Sequence, residues 1–416
     1  MSAVSTLLPL PESARANFDW LNNASLKRVI GALETAEAGA ARFVGGCVRD
    51  SLLGVVPKDF DIATLLEPDA AISALKQQGL RVAPTGLAHG TVTAIVDHQG
   101  VEITTLRADV STDGRRATVA FTRNWETDAQ RRDFTINAIY LTPDGKLFDP
   151  VGGVRDAGEK RVRFIGDASQ RIKEDYLRIL RFFRFTARFC ETFDEEGLAA
   201  CAALKDGLDT LSAERVGAET MAILALPRAA IALSAMQTSG VLGKIWPAQA
   251  DLNVAAKMKM LDPSLTGPVM LAGLYGEAGD GIGRRLRLSN AEKAVRATAL
   301  KSASRLILPL TESTLREQLY RFGKNAVTDG VLLAAARGRI NEPDYKKLRR
   351  LLDKIETPVF EISGKHIVNA GVSPGPAVAD ILATVEARWI DENFPDVARQ
   401  KTILADVLKS TGKQPS

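Results

Sequence analysis

Apolar positions in this chain recur with two different periods, and the change of period divides it. Over residues 13–37, Phe18, Leu21, Leu26, Val29, Ile30 and Leu33 return every three or four positions, the spacing that lines one face of a helix. Phe43-Val44 closes a short apolar strand at Gly45-Gly46, a short helix is predicted around 48–53, and a Pro57 turn leads into a second strand carrying Asp59 and Asp61. Residues 68–78 read as a helix opened by Glu67-Pro68-Asp69. The runs 91–96 and 101–106 alternate with period two around Asp97-His98-Gln99-Gly100, which predicts a hairpin. Between Arg107 and Arg131 the pattern lapses into the turn formers Asp109, Ser111, Thr112, Asp113 and Gly114, followed by Arg115-Arg116. A loop this long inside a compact domain is usually functional or disordered. Residues 171–188 contain no helix breaker and predict one helix of about five turns. From about 225 onward apolar residues keep helical spacing, through 231–241, 291–308, 313–320 and 326–336, with no β-alternating stretch of comparable length.

Length and composition change this picture little. At 416 residues the chain exceeds one typical core and suggests two to four domains or subdomains. Its 45% hydrophobic and 25% charged content are those of a globular protein in water. A net charge of only +4 does not establish nucleic-acid binding, although a local basic stripe would serve. Cys47, Cys190 and Cys201 are odd in number and form no C-x-x-C, which points to a reducing compartment and no disulfide framework. His89, His98 and His366 are scattered and assemble no zinc motif. The first residues hold no signal peptide, and no apolar run approaches the roughly 18 residues of a membrane span, so the expected location is cytoplasmic with no membrane partner.

Candidate chemistry concentrates in three stretches. Side chains alternate across a strand, so Asp59 and Asp61 are expected on one side. Such a carboxylate pair is costly to bury alone and suits Mg²⁺ held together with substrate phosphates. Gly45-Gly46 would let a phosphate approach the backbone ahead of a helix N-terminus, with Arg49 adding positive charge. Glu102, on a strand with Thr104 on the same side, is a weaker third carboxylate candidate. In Arg131-Arg132-Asp133-Phe134-Thr135-Ile136-Asn137-Ala138, Arg132 suits phosphate or ribose oxygens and Asp133 could accept from a ribose hydroxyl. On the 171–188 segment, Asp175, Arg178, Arg181 and Arg184 form an i, i+3 ladder in which the arginines repel unless something anionic sits among them. Asp175 offsets one, and a triphosphate would suit the others.

Taken together, Gly45-Gly46-Cys47-Val48-Arg49-Asp50, Leu52-Leu53-Gly54 and Pro57-Lys58-Asp59-Phe60-Asp61-Ile62-Ala63-Thr64 resemble the signature of class II tRNA nucleotidyltransferases, the family of CCA-adding enzymes and bacterial poly(A) polymerases. The resemblance implies an α+β fold: a polymerase-β-like nucleotidyltransferase head with a mixed β-sheet, then an all-α neck, body and tail. It implies that Asp59 and Asp61 hold Mg²⁺, counted as two ions, and that Gly46 and Arg49 line the nucleotide site. Arg132 and Asp133 would recognise ribose. Glu174-Asp175-Tyr176-Leu177-Arg178 resembles the E-D-x-x-R motif, in which Asp175 and Arg178 select the incoming base. Arg181 and Arg184 match arginines that contact the nucleotide. Asp113-Gly114-Arg115-Arg116 resembles a loop that shapes the pocket for the terminal A, with Asp113 and Arg115 as weaker candidates. Phe148 to Asp156 resembles the hinge between head and neck. Ser212-Ala213-Glu214-Arg215-Val216 resembles a neck-bracing motif, although Gly217 stands where a bulkier residue is usual.

The expected division is a head over 1–166, a neck over 167–225, a body over 226–340 and a tail over 341–416. Arg284-Arg285-Leu286-Arg287 and Lys346-Lys347-Leu348-Arg349-Arg350 are basic clusters able to touch RNA backbone. Expected substrates are tRNA, CTP and ATP. Poly(A) synthesis, addition of A alone or of CC alone, and a catalytically silent RNA-binding role are the competing readings.

Overall fold

The computed structural model describes residues 7–112, 117–306, 308 and 310–410. It forms two compact units, Met1–Pro247 and Ala248–Ser416. The first carries every β-strand found among the described residues: β1 (Leu8–Pro9), β2 (Ala41–Val44), β3 (Asp61–Thr64), β4 (Arg81–Gly86), β5 (Thr91–Val96), β6 (Gln99–Thr105), β7 (Arg107–Thr112), β8 (Ala117–Phe121), β9 (Tyr140–Leu141) and β10 (Lys146–Phe148). Eight of them make one sheet in the order β1-β10-β9-β2-β3-β6-β5-β4. Its pairs are antiparallel except β3 with β6, so the sheet is mixed. Helices Ala24–Ala36 and Pro68–Gln77 pack together on this sheet. Val29, Leu33 and Leu75 meet Phe43, Ile62 and Ile103 in a dry core.

Local chemistry explains where the sequence pattern holds and where it breaks. The 91–105 hairpin turns at Asp97 and His98, whose φ values of 47° and 64° give the left-handed two-residue turn that matches strand twist. The helix expected over 13–37 divides into a 3₁₀ stretch, Glu12–Asn22, and the α-helix Ala24–Ala36. Asn23 interrupts it by capping the latter through Leu26 N–H. The loop expected over 107–131 is largely ordered: β7 pairs with β8 in a separate two-stranded ribbon, and Trp125–Gln130 is helical. Asp113 and Arg115 lie outside the described residues. Asp59 is not on a strand. It occupies an exposed bend, and β3 begins at Asp61.

The helix expected over 171–188 is two helices, Ala168–Glu174 and Leu177–Phe189. The chain leaves helical geometry at Asp175 (φ −155°, ψ 103°). The second helix is buried almost all round: Leu177, Ile179, Leu180, Phe182, Phe183, Phe185 and Phe189 are all buried. Arg181 and Arg184 lie over the Phe185 ring, while Phe182 is wholly buried. Phe182 and Phe185 join Phe134 and Phe164, with ring centroids 4.9–6.2 Å apart, and so fasten the 131–138 segment to this helix.

The second unit is helical throughout its described residues. The apolar runs near 313–320 and 326–336 fall in Glu312–Ala336, which is kinked by non-helical geometry at Gly323 (φ 77°, ψ 162°). A separate core at the chain's end gathers Ile367, Ile381, Val385, Trp389 and Ile403.

The two glycines of the expected head–neck hinge act differently. Gly152 takes φ 81°, which favours glycine. Gly153 has ordinary dihedrals but a Cβ there would lie 2.1 Å from the Thr135 carbonyl oxygen and 2.7 Å from Ile139. Asp149 accepts from the Gly153 and Val154 N–H groups at 2.7 and 2.8 Å, and Asp156 accepts from the Thr135 hydroxyl at 2.5 Å. This corner buttresses the 131–138 segment. Gly153→Ala is expected to lower unfolding free energy by about 1–3 kcal/mol, measured by urea denaturation, whereas Gly158→Ala, where a Cβ meets nothing within 4 Å, should leave it nearly unchanged.

Candidate active site

Gly45 (φ 70°, ψ −117°) turns the chain from β2 into the helix Gly46–Leu52. A Cβ at Gly45 would come within 3.9 Å of Arg132 Nη1, so the turn and the arginine are neighbours. Arg49 projects inward rather than outward and is only 5% exposed. Its Nε and Nη2 donate to Asp50 Oδ1 at 2.8 and 2.6 Å, its Nη1 donates to Asn137 Oδ1 at 2.5 Å, and it lies over the rings of Phe185 and Phe189. Asp50 Oδ2 accepts from Arg188 at 3.0 Å. One carboxylate thus ties the glycine-turn helix to the Leu177–Phe189 helix.

Asp61 is pushed up to about 6, first by burial and then by the Glu102 carboxylate, with Asp59 adding to it and Arg132 and Arg49 opposing. Glu102 is its register partner in the parallel β3–β6 pair. The Asp61 carboxylate accepts no hydrogen bond and joins no ion pair among the described residues, which leaves a cation-sized charge deficit beside the glycine turn. The donor set, hard carboxylate oxygens with Asp59 adjacent, fits a divalent metal. Among the described residues no group of three or more His, Cys, Asp or Glu is arranged to hold one. Glu102 contributes its field at Asp61 without completing such a group.

The Arg131-Arg132-Asp133 turn joins this carboxylate to the second helix. Arg132 donates through Nε and Nη2 to Asp128 Oδ2 at 3.0 and 2.9 Å. Asp133 is 8% exposed and accepts from Phe134 N–H, Asn137 Nδ2 and, at 2.7–2.8 Å, Arg181. Burial disfavours its charge, but Arg181 and these donors hold it below the usual carboxylate range.

The arginine ladder already has carboxylate partners within the protein. Arg178 donates to Glu174 at 2.6 Å and to the carbonyls of Arg171 and Arg131 at 2.8 and 3.0 Å. Arg184 pairs with Glu219 at 2.6 Å, and Arg181 lies 3.6 Å from the same carboxylate. Asp175 forms no ion pair with any of the three among the described residues, although its charge acts on Arg181. It accepts from Leu177 N–H at 3.1 Å and from Arg215 at 2.7 Å. Arg215 lies on the Ala213–Ala225 helix, which Ser212 caps. Tyr176 packs where Gly207 leaves room, a Cβ there lying 2.0 Å from the ring.

Residues 41–163 match the model of the poly A polymerase head domain. CCA tRNA nucleotidyltransferase 1 of Mus musculus, a mitochondrial protein, is 36% identical over 382 residues, spanning 89% of this chain and 86% of its own length. The chain belongs to the CCA-adding tRNA nucleotidyltransferase family. A CCA-adding enzyme of Limosilactobacillus fermentum is 32% identical over 368 residues, 85% of this chain and 90% of that one. The crystal structure of the Bacillus stearothermophilus CCA-adding enzyme in complex with CTP matches with TM-score 0.76 at 25% identity, covering 94% of this chain and 98% of that one. The family is one of metal-dependent nucleotidyltransferases.

Membership makes the residues that sequence reasoning missed informative. Asp128, Asp50 and Glu219 supply the carboxylates that hold this nucleotidyltransferase's arginines. Asp128 had a legible signal, lying three and four residues before Arg131 and Arg132. Glu219 had none, because its partner Arg184 is 35 residues away and Arg181 farther still. No helix among the described residues is long and apolar enough to cross a membrane.

Asp61 gives a stability test with a definite sign. Its raised folded-state pKa means that the folded chain retains a proton that the unfolded chain has lost between about pH 4 and pH 6, so Asp61 costs stability as pH rises through that window. In metal-free buffer, Asp61→Asn should raise urea stability by about 1–3 kcal/mol near neutral pH and give little gain near pH 4. Equal gains at both pH values would contradict the charge deficit.

Proposed function

We propose that the chain transfers CMP and then AMP from CTP and ATP to the 3′-hydroxyl of tRNA, building or repairing the CCA terminus with release of pyrophosphate. The observation that carries this reading is the continuity from Asp61, through Arg132 beside it, to the Asp133–Arg181 ion pair at 2.7 Å. The Arg131-Arg132-Asp133 turn has Asp61 within electrostatic reach of Arg132 and pairs Asp133 with Arg181.

Asp59 and Asp61 would hold Mg²⁺, taken as two ions. Bound there, the metal supplies activation of the attacking hydroxyl and charge stabilisation at the leaving group. Gly46 opens a helix whose N–H groups face incoming phosphate, and Arg49 contributes its field from beneath the turn. Arg132, with Nε and Nη2 anchored, presents its remaining edge to phosphate or ribose oxygens. Asp133 addresses the ribose while braced by Arg181. Asp175 and Arg178 serve as the base template, and their partners Arg215 and Glu174 fix both side chains before a base arrives. The amine of cytosine or adenine donates to Asp175 while Arg178 donates to ring nitrogen or carbonyl. Uracil and guanine would set carbonyl against carboxylate and leave both unpaired. Arg181 and Arg184, held in place by Asp133 and Glu219, would meet the triphosphate. The reading includes a head through residue 166, a neck to 225, a body to 340 and a tRNA-contacting tail, in a protein working in the cytoplasm. The tail's exposed Lys346, Lys347 and Arg350 suit phosphate contact without sequence readout.

The test is incubation of tRNA transcripts lacking the 3′ terminus with each radiolabelled nucleotide. Products three nucleotides longer that require CTP and then ATP are expected. Long A tracts would instead mark the poly(A) activity that the head-domain match also covers. Asp59→Ala and Asp61→Ala should each slow incorporation by on the order of a thousandfold, matching several kcal/mol of lost charge stabilisation. Undiminished turnover in either would sink the metal-site assignment.

A further inference from the structure

Asp128 sits on the Trp125–Gln130 helix and is 1% exposed. Its two oxygens divide six donated hydrogen-bond or ion-pair contacts between them. Oδ1 accepts from Arg131 Nε and Nη2 at 3.0 and 2.9 Å and from Arg107 N–H at 3.1 Å. Oδ2 accepts from Arg132 Nε and Nη2 at 3.0 and 2.9 Å and from the Tyr140 hydroxyl at 2.7 Å. Tyr140, which is wholly buried, also receives Arg132 Nε at 3.2 Å, and Trp125 packs edge-on against its ring.

We propose that Asp128 is a positioning residue of the nucleotide site, a single carboxylate that fixes the plane of Arg132 and sets it in register with Arg178. The proposal rests on the reading that Arg132 meets the nucleotide. With Nε and Nη2 committed to Asp128, the Arg132 fork has one free direction. Nη1 points past the Asn137 carbonyl, 3.5 Å away, toward the Gly45 turn. The segment ending the Asp128 helix is gripped in turn by the neck: Gln130 O accepts from Arg171 at 2.9 Å and Arg131 O from Arg178 at 3.0 Å. Arg107 opens β7, so the same carboxylate also anchors the root of the β7–β8 ribbon. Burial alone would raise the pKa of Asp128, yet Arg132, Arg131 and the Tyr140 hydroxyl hold it well below the usual carboxylate range, so it stays anionic at any working pH. Without that charge, Arg132 would be drawn toward Asp61, whose carboxylate already feels its field, and the two groups expected to meet substrate and metal would neutralise each other.

The test uses the full chain, with transcripts lacking CCA for CTP and transcripts ending in CC for ATP. Asp128→Asn keeps the shape and removes the charge. Its KM for both nucleotides is expected to rise about tenfold with a smaller fall in kcat, the loss typical of a charge-assisted hydrogen bond. In an Arg132→Ala background the same change should add little, because the group it positions is gone. Tyr140→Phe, a milder removal of one donor, should shift KM in the same direction if Asp128→Asn fails to fold. Unchanged KM in the folded variant, a fall in kcat alone, or full additivity with Arg132→Ala would overturn the proposal. Equilibrium binding of CTP to wild-type and Asp128→Asn chains decides it independently of turnover, so a wild type that adds no nucleotide tells against the proposed function alone.

Discussion

A guanidinium enclosed by protein must find its acceptors in the protein, and that requirement organises this molecule around residues 128–137. Arg49, Arg181 and Arg184 lie over the ring of Phe185, and Arg132 over that of Tyr140. Left alone they would repel, and burial would deepen the cost. Each is instead matched to a carboxylate: Asp50, Asp128, Asp133 and Glu219. These pairs connect parts distant in the chain, for Asp50 and Arg188 are 138 positions apart and Asp133 and Arg181 are 48 apart. The head sheet and the Leu177–Phe189 helix are joined by that charge pairing above and by the Phe134, Phe164, Phe182 and Phe185 cluster below.

The same requirement explains which parts of the site were legible in the sequence. The glycine turn, Asp61 and the Arg131-Arg132-Asp133 turn are local features, set by backbone geometry or by residues adjacent in the chain. The mixed sheet and the helical remainder follow from hydrophobic period. The break at Asp175 was not legible, because no glycine or proline marks it. It arises when the Asp175 side chain caps Leu177 N–H and reaches Arg215, and when Tyr176 settles over Gly207. Tertiary contacts override a sequence with good helical propensity. Nor could the sequence say that the arginine ladder is already neutralised. A period count places the arginines on one face but says nothing of Glu219, which arrives from another helix.

Gly153 makes a related point about glycine-rich signatures. Two adjacent glycines suggest flexible backbone, and Gly152 does use a left-handed angle. Gly153 does not; it is small because the Thr135 carbonyl occupies the place of its side chain. At Gly153 the absent side chain lets the 131–138 segment pack directly against the backbone of this corner.

One asymmetry remains once every pair is assigned. The arginines of the site have carboxylate partners, whereas among the described residues the carboxylates of Asp59, Asp61 and Glu102 join no ion pair. Arg132 and Arg49 lower the cost at Asp61 without cancelling it, since the net effect still raises its affinity for a proton. A fold selected for stability alone would place a donor there, as it does at Asp128 and Asp133. On the proposed reading, leaving the deficit open would keep a position for a cation, and committing Arg132 to Asp128 would keep that arginine from filling it. The local instability at Asp61 and the rigidity around Arg132 are thus two sides of one arrangement. On the proposed reading they would keep positive charge for the nucleotide and negative charge for the metal from collapsing into a salt bridge.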